Sequence, residues 1–159
     1  MIRFRPLRST AFLVCLSALL AISACGKPKP VPPTIVNITS IASVDTNPDS
    51  NDRASPVAVR IYSLRSLAAF ESADFYSLFE KDTATLGMDL AGKEEFILSP
   101  GQSSPLEKTL ADDVRFIGVV AAFRDIERAS WRASIPVPAA QTTPVTVSIG
   151  ARSVTVTSP

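Results

Sequence analysis

The run Val114-Arg115-Phe116-Ile117-Gly118-Val119-Val120-Ala121-Ala122-Phe123 decides the fold that this sequence predicts. Its side chains are apolar at nearly every position, so both faces of the strand that they form need cover. Strands of this kind lie inside a sheet, with a core on one face and another element on the other. The run therefore predicts a central β-strand with a second element packed on its outer side.

Shorter alternating runs predict the neighbouring strands. One face of a first strand carries Val36, Ile38, Ala42 and Val44, and one face of the next carries Val57, Val59 and Ile61. Strand-like runs also occupy residues 95–98, 131–137, 145–149 and 154–157, residues 106–110 suit one more, and Pro100-Gly101 and Gly150-Ala151 indicate turns. Pro136 and Pro138 have no amide donor, so their strand lies at an edge or ends early. About seven short strands predict a mostly β protein, an antiparallel β-sandwich.

A helical insertion interrupts this pattern after Leu64. The spacing changes to that of helices at Leu64, Leu67 and Ala68 and again at Phe75, Leu78 and Phe79. Ser72 is placed to cap a short second helix that continues through Glu80. We expect this insertion to cover the outer face of the central strand.

The N-terminus has the pattern of a cleaved export signal. Three arginines, at positions 3, 5 and 8, precede an apolar stretch from Ala11 to Ile22, which is too short to span a bilayer because spanning takes about 20 residues. Ile22-Ser23-Ala24-Cys25 resembles a bacterial lipobox, in which the cysteine thiol receives a diacylglyceryl group. The alternative is an ordinary secretory signal with a chance cysteine. Cys15 lies inside the apolar stretch and would be removed, so Cys25 has no disulfide partner and lipidation is favoured.

The sequence thus divides into a signal peptide at residues 1–24, an acylated cysteine with a proline-rich spacer at residues 25–33, and a β-sandwich domain at residues 34–159. The prolines between Lys27 and Pro33 favour an extended spacer, which at about 3.1 Å per residue reaches roughly 25 Å. Gly26, rather than an aspartate, follows the cysteine. The absence of an aspartate at this position favours a lipid-anchored location on the periplasmic face of the outer membrane.

Composition excludes several functions. Without residues 1–24, 13 of the 16 basic residues remain against 15 acidic ones, so the formal net charge is −2 and a nucleic-acid partner is disfavoured. The chain has no histidine, and the exported part has no thiol besides Cys25, which removes the commonest zinc ligands. We expect no metal, no cofactor beyond the covalent lipid, and no small-molecule substrate.

Residues 45–56 form a polar connection between the first two strands. Three aspartates, two asparagines and two prolines favour turns, and the connection is long for a hairpin, which usually takes about 2 to 5 residues. Prolines lower the entropy lost on docking, so the segment suits a binding loop, although a solvated connection has the same composition. The residues alone leave both readings open.

Four segments together resemble one known family. These are Asn47-Pro48-Asp49, the run Ser55-Pro56-Val57-Ala58-Val59-Arg60-Ile61-Tyr62-Ser63-Leu64, Phe70 followed by Ala73-Asp74-Phe75-Tyr76-Ser77-Leu78-Phe79, and Gly118-Val119-Val120-Ala121-Ala122-Phe123-Arg124-Asp125 with Trp131-Arg132. In this order, behind a lipobox, they are similar to the outer-membrane lipoprotein of type VI secretion systems, called TssJ, SciN or VasD.

The resemblance implies a transthyretin-like sandwich that takes part in a trans-envelope complex. Its partner would be the periplasmic C-terminal region of the inner-membrane protein TssM, and the loop between the first two strands would bind it. Carried onto this sequence, the partner-binding residues are Asp45, Thr46, Asn47, Pro48, Asp49, Ser50, Asn51, Asp52, Arg53, Ala54 and Ser55. Within that loop Asn47, Pro48 and Asp49 match the family pattern, whereas Ser50 to Arg53 belong to a stretch that varies in the family.

Other candidate sites are weaker. The acidic pairs Glu94-Glu95 and Asp112-Asp113, and Asp125 with Glu127, are better explained as solvated residues, because adjacent side chains on a strand point to opposite faces. A serine nucleophile would have only Lys81, Lys93 or Lys108 as its base. Aromatic residues 62, 116, 123 and 131 suit a core, and arginines 60, 115, 124 and 132 are expected to face solvent. We therefore expect no enzymatic activity, and the alternative function is a lipid-anchored ligand-binding or sensing module.

Overall fold

The computed structural model of the chain describes residues 30–159. Its strands and α-helices, in chain order, are β1 (Thr34–Ala42), β2 (Val57–Leu64), α1 (Ala68–Ser72), α2 (Phe75–Glu80), α3 (Asp82–Leu86), β3 (Leu90–Leu98), β4 (Ser103–Leu110), β5 (Phe116–Ala122), β6 (Arg132–Pro136), β7 (Thr142–Ile149) and β8 (Val154–Thr157). Single 3-10 turns cover Gly87–Asp89 and Ile126–Arg128.

The strands form two four-stranded sheets, in the orders β4-β1-β7-β8 and β3-β2-β5-β6. The predicted β-sandwich with a short helical insertion is therefore confirmed. Neighbouring strands are antiparallel except for β1 and β7, which run parallel from the pair Ile35 and Thr142 to the pair Ala42 and Ile149. A bridge between Ser130 and Ser153 links the two sheets along one side.

The main core lies between the sheets. Along β1, buried and more exposed side chains alternate, as a strand with one covered face requires. Val36 and Ile38 point into this core with Val59, Ile61 and Val119. Val44 was predicted on the same face, and this was wrong, because β1 ends at Ala42 and Val44 is 82% exposed. The amide of Thr46 donates to the carbonyl of Ser43, which turns the chain away from the sheet.

A second core confirms the predicted cover over the central strand. Tyr62, Leu64 and Val120 on the outer face of the β2–β5 pair pack against Phe70 and Leu78 of the helices. Gly118 makes this contact close, since a Cβ atom there would lie 2.8 Å from Cζ of Phe70 and 2.9 Å from Cδ1 of Leu64. Such distances are shorter than van der Waals contact, so the tight packing requires glycine.

The helix cap differs from the prediction by two residues. Asp74, not Ser72, caps α2, since its Oδ1 accepts a hydrogen bond from the amide of Ser77 at 2.9 Å. Hydrogen bonds from the hydroxyl and from the amide of Ser77 lower the pKa of Asp74. The Ser72 hydroxyl instead donates to the carbonyl of Ala68 at 2.8 Å, at the end of α1. The extended backbone of Ala73 separates the two helices and moves the start of α2 downstream.

Two half-buried arginines, Arg60 and Arg132, fasten the helices to the sheet, which corrects the expectation that they face solvent; Arg115 and Arg124 are exposed, as expected. The Arg60 side chain is only 12% exposed, pairs with Asp82 and Glu95, donates to the carbonyl of Phe79, and stacks 4.0 Å from the Phe79 ring. Arg132 donates to the carbonyl of Phe70 within α1 and to that of Ala73 just beyond it. The expectation was wrong because α1 and α2 cover the outer face on which both side chains lie.

Tyr62 adds a neutral hydrogen bond to the same region. Its hydroxyl donates to the carbonyl of Leu78 at 2.9 Å, and burial raises its pKa to about 12. For the nearby carboxyl of Asp82, burial alone would raise the pKa, but the hydrogen bond from Lys93 and the Thr83 amide outweigh it and the pKa is lowered. The polar groups beneath the helices are thus paired with one another.

The position of β6 in its sheet agrees with the prediction made from Pro136 and Pro138. β6 is an edge strand and ends at Pro136, as predicted. β4 confirms the strand at residues 106–110 and begins earlier, at Ser103. At the edges formed by β3 and β4, Lys108 and Glu94 form an ion pair at 2.8 Å. Charges on edge strands oppose edge-to-edge pairing with other chains.

β1 separates two ends of the sandwich. It starts at Thr34, next to the proline-rich segment, and after nine residues leads into the connection to β2. At about 3.4 Å per residue the strand is roughly 27 Å long. We call the end that contains Thr34 the anchor end, and the end that contains residues 43–56, the β1–β2 loop, the loop end.

Candidate functional site

The β1–β2 loop is built into the loop end by backbone hydrogen bonds to two other parts of the chain, the β3–β4 turn and the end of β7. The amide of Ala42 donates to the carbonyl of Gln102, and the amide of Gly101 donates to the carbonyl of Ser43. Gly101 and Gln102 lie in the turn between β3 and β4. The amide of Ser43 donates to the carbonyl of Ile149 at the end of β7. The loop therefore leaves the sheet with its first residues already fixed.

Thr46 and Ser55 close the base of the loop. Thr46 is 0% exposed, and its hydroxyl donates to the carbonyl of Ile149 at 2.9 Å. The amide of Ser55 donates to the carbonyl of Thr46 at 3.0 Å, so the two limbs of the loop are joined at their base. Because both residues are buried, they support the loop from below.

Asn47 holds the centre of the loop. It is 3% exposed, and its φ of 50° lies in the left-handed region, where asparagine is among the tolerated residues. Its side-chain amide donates to the carbonyl of Pro56 at 2.7 Å, and its side-chain oxygen accepts from the amide of Arg124 at 2.8 Å. Its own amide donates to the carbonyl of Ala151 at 3.1 Å. One side chain thus joins both limbs of the loop to the β5–β6 connection.

Asp49 organises the tip of the loop. Its carboxylate accepts hydrogen bonds from the amides of Asn51 and Arg53 at 2.8 and 3.0 Å and from the Arg53 guanidinium at 2.8 Å. The hydrogen bonds from Arg53, followed by that from Asn51, lower the pKa of Asp49 from 3.8 to about 2. Asp52 completes the turn with a left-handed φ of 57°. The tip is a closed turn whose geometry does not depend on a partner.

The structure divides the eleven predicted binding residues into two groups. Buried or half-buried residues face the protein: Thr46, Asn47, Pro48, Asp49 and Ser55. Exposed residues face outward: Asp45, Ser50, Asn51, Asp52, Arg53 and Ala54. Only the exposed group offers substantial contact surface. The buried Asn47 side chain is paired with the amide of Arg124, 77 positions away, so local sequence gives no sign of its burial.

The other candidate groups are not brought together. Glu94 pairs with Lys108, Glu95 with Arg60, and Asp113 with Arg65. Within residues 30–159, no group of three or more histidine, cysteine, aspartate or glutamate side chains is placed to hold a metal ion. Glu94, Glu95 and Asp113 therefore serve as ion-pair partners.

The predicted lipidation site, Cys25, lies outside the described residues. Among those residues, none of the helices has both the length and the apolar character required to cross a membrane.

We predict that Asn47→Ala destabilises the domain by about 2 to 4 kcal/mol. The substitution leaves the Arg124 amide and the Pro56 carbonyl without their partners and puts alanine at a left-handed φ. Chemical denaturation followed by tryptophan fluorescence measures the loss. Asn51→Ala is the control, because that residue is exposed, and its effect should stay within about 0.5 kcal/mol. Equal stability of the two variants would contradict the role given to Asn47.

We predict that Asp49 titrates at a pKa of about 2 in the folded chain, against 3.8 for an ordinary aspartate. Because the folded pKa is lowered, its stabilising effect is present above the ordinary pKa and is lost as pH falls through about 2. Carboxyl-carbon NMR during an acid titration measures this value. Arg53→Gln should move the pKa upward, and a wild-type value near 3.8 would show that the tip is not closed.

Comparison with known proteins agrees with this architecture. A family model described as type VI secretion lipoprotein (VasD, EvfM, TssJ) matches residues 34–152. The crystal structure of the lipoprotein TssJ1 of a type VI secretion system from Pseudomonas aeruginosa is 37% identical, covers 80% of this chain and 98% of its own, and has a TM-score of 0.78. No curated protein sequence matches.

Two further structures are similar. Lip from Serratia marcescens, described as a membrane-bound component of the type VI secretion system, is 27% identical over 79% of this chain and 96% of its own, with a TM-score of 0.73. A chain of a type VI membrane complex is 25% identical over 78% of this chain and 98% of its own, with a TM-score of 0.69. The chain belongs to the TssJ family of type VI secretion lipoproteins.

Proposed function

We propose that the chain is a lipid-anchored tether of a type VI secretion complex, held in the outer membrane by Cys25 and docked through the β1–β2 loop to the periplasmic C-terminal region of the inner-membrane protein TssM. The main support for this role is the rigid, exposed loop tip at the end of β1 away from Thr34. Its role is structural and involves no catalysis.

The order of the chain suits a tether. Cleavage after residue 24 would leave Cys25 as the acylated N-terminus, and residues 26–33 would space the domain from the lipid. Each buried methylene of an acyl chain contributes about 0.8 kcal/mol to membrane binding. Two or three acyl chains therefore anchor the protein stably, whereas one chain is marginal. With β1 leading away from Thr34, the loop end would point from the outer membrane into the periplasm.

The internal bonds of the loop favour docking without rearrangement. Asn47 fixes the loop against the β5–β6 connection, and Asp49 closes its tip. A contact surface ordered before binding loses less conformational entropy when it binds. Confinement of both partners to facing membranes raises their effective concentration, so a modest interface suffices.

The exposed charges give the docking surface its chemistry. Asp45 and Asp52 are exposed and form no ion pair among the described residues, whereas Asp49 is neutralised by Arg53. A TssM surface with basic residues would complement the negative charges of Asp45 and Asp52 and steer the approach. The similarity to a chain of a type VI membrane complex supports an assembled setting for this contact.

For the anchor, we predict that Cys25→Ser leaves the protein unprocessed or releases it from the outer-membrane fraction and abolishes type VI secretion. The serine hydroxyl does not replace the thiol in acylation. Membrane fractionation and a secretion assay measure both effects. Cys15→Ser, within the signal, is the matched control and should behave as wild type. Normal secretion by Cys25→Ser would remove the tether from the proposal.

For the loop, we predict that Asp45→Lys with Asp52→Lys weakens binding of the TssM C-terminal region at least tenfold, because like charges then face the basic partner surface. The mature lipidated chain in detergent is titrated with that region by calorimetry. Asp112→Lys, at the anchor end, is the control and should bind as wild type. Both variants spare Asn47 and Asp49. Because lysine is less suited than aspartate to the left-handed φ of residue 52, circular dichroism and the melting temperature first establish that the loop variant is folded. Unchanged affinity of the loop variant would place docking elsewhere.

A further inference from the structure

A cleft of about 520 Å³ opens beside the β1–β2 loop at the loop end. Pro48, Asp49 and Asp52 line it from the loop, and Arg124 and Arg128 line it from the β5–β6 connection. Arg152, in the β7–β8 turn, also contributes to the lining. The cleft therefore lies between three connections that meet at the end of the sandwich away from Thr34.

Most of the charges in the cleft neutralise one another. Asp49 pairs with Arg53 at 2.7 Å, and Asp125 pairs with Arg152 at 3.3 Å. Arg128 lies 4.0 Å from Asp125 and its side chain is 81% exposed, so that pair is weak. Asp49 and Asp125 therefore each have an arginine partner, whereas Arg128 has only a weak one.

Two opposite charges remain without a partner, one on each wall. Asp52 on the loop wall and Arg124 on the other wall form no ion pair among residues 30–159, and both are exposed. With the weakly paired Arg128, the β5–β6 wall is basic and the loop wall is acidic. A cleft with walls of opposite sign binds a segment in only one orientation, because the reversed orientation brings like charges together.

The two walls are fixed relative to each other. The backbone amide of Arg124 donates to the side chain of Asn47 at 2.8 Å, which joins the β5–β6 connection to the loop. The Arg124 guanidinium takes no part in that bond and stays available. A guanidinium held on a fixed backbone is suited to a bidentate contact with a carboxylate.

We propose that this cleft is the second half of the docking surface and receives a segment of the partner protein that presents a carboxylate to Arg124 and Arg128 and a basic group to Asp52. The inference rests on the proposed function and deepens it, since it names the chemistry of the segment that the loop end recognises. The β5–β6 connection then acts as a binding element in addition to its part in folding.

The test titrates the mature lipidated chain in detergent with the partner's periplasmic C-terminal region. Arg124→Glu should weaken binding about tenfold or more and Arg128→Glu by a smaller factor, because each puts a carboxylate against a carboxylate. Arg124→Gln should give an intermediate loss. Lys81→Glu, an exposed residue of the helical insertion, reverses the same charge outside the cleft and should bind as wild type.

A salt series and a folding control complete the test. The affinity of the wild type should fall more steeply with ionic strength than that of Arg124→Glu, since the variant has lost a charge pair. The melting temperature of Arg124→Glu should equal that of the wild type, because only the backbone of Arg124 holds the fold.

The outcomes separate this inference from the proposed function. Loss of affinity in the arginine variants and in the Asp45→Lys with Asp52→Lys variant supports both. Loss in the loop variant alone overturns the cleft and leaves loop docking in place. Loss in the arginine variants alone supports the carboxylate contact at Arg124 and Arg128 and overturns docking by the loop carboxylates, including the basic contact at Asp52. Wild-type affinity in all of them overturns both.

Discussion

The loop end of this protein depends on the hydrogen bonds of one buried side chain, that of Asn47. Its amide group joins the two limbs of the β1–β2 loop, and its oxygen joins the loop to the amide of Arg124. A buried amide is costly unless its groups are paired, so the site is stable only with all these partners in place. This makes a long polar connection behave as a fixed surface and gives the charges of Asp52 and Arg124 a defined separation.

The rest of the molecule supplies a rigid frame for that surface. The central strand β5 is buried on both faces, by the main core on one side and by the helices on the other. Close packing at Gly118 and the arginines under the helices hold this second layer. Since β5 ends just before Arg124, the two cores that pack on β5 also hold the start of one wall of the cleft. The opposite wall is held by Thr46, which bonds to the end of β7.

Whether a feature of this structure could be predicted from the sequence depends on how far apart along the chain its interacting residues lie. Alternation and apolar runs are local, and they predicted the sandwich, the central strand and its helical cover. The parallel pairing of β1 with β7 joins residues more than a hundred positions apart, and no local pattern encodes it. The cap at Asp74 rather than Ser72 was decided by the extended backbone at Ala73. The division of residues 45–55 into buried supports and exposed tip needed Arg124, which is distant in sequence.

The central claim is that the loop end, and not the anchor end, meets the partner. Amide hydrogen exchange on the mature lipidated chain, with and without the TssM C-terminal region, tests it most directly. We expect slower exchange on binding in residues 45–55 and 124–128, with residues 111–115 and 137–141 at the anchor end unchanged. Protection confined to the anchor end, with the loop end exchanging as in the free protein, would contradict it.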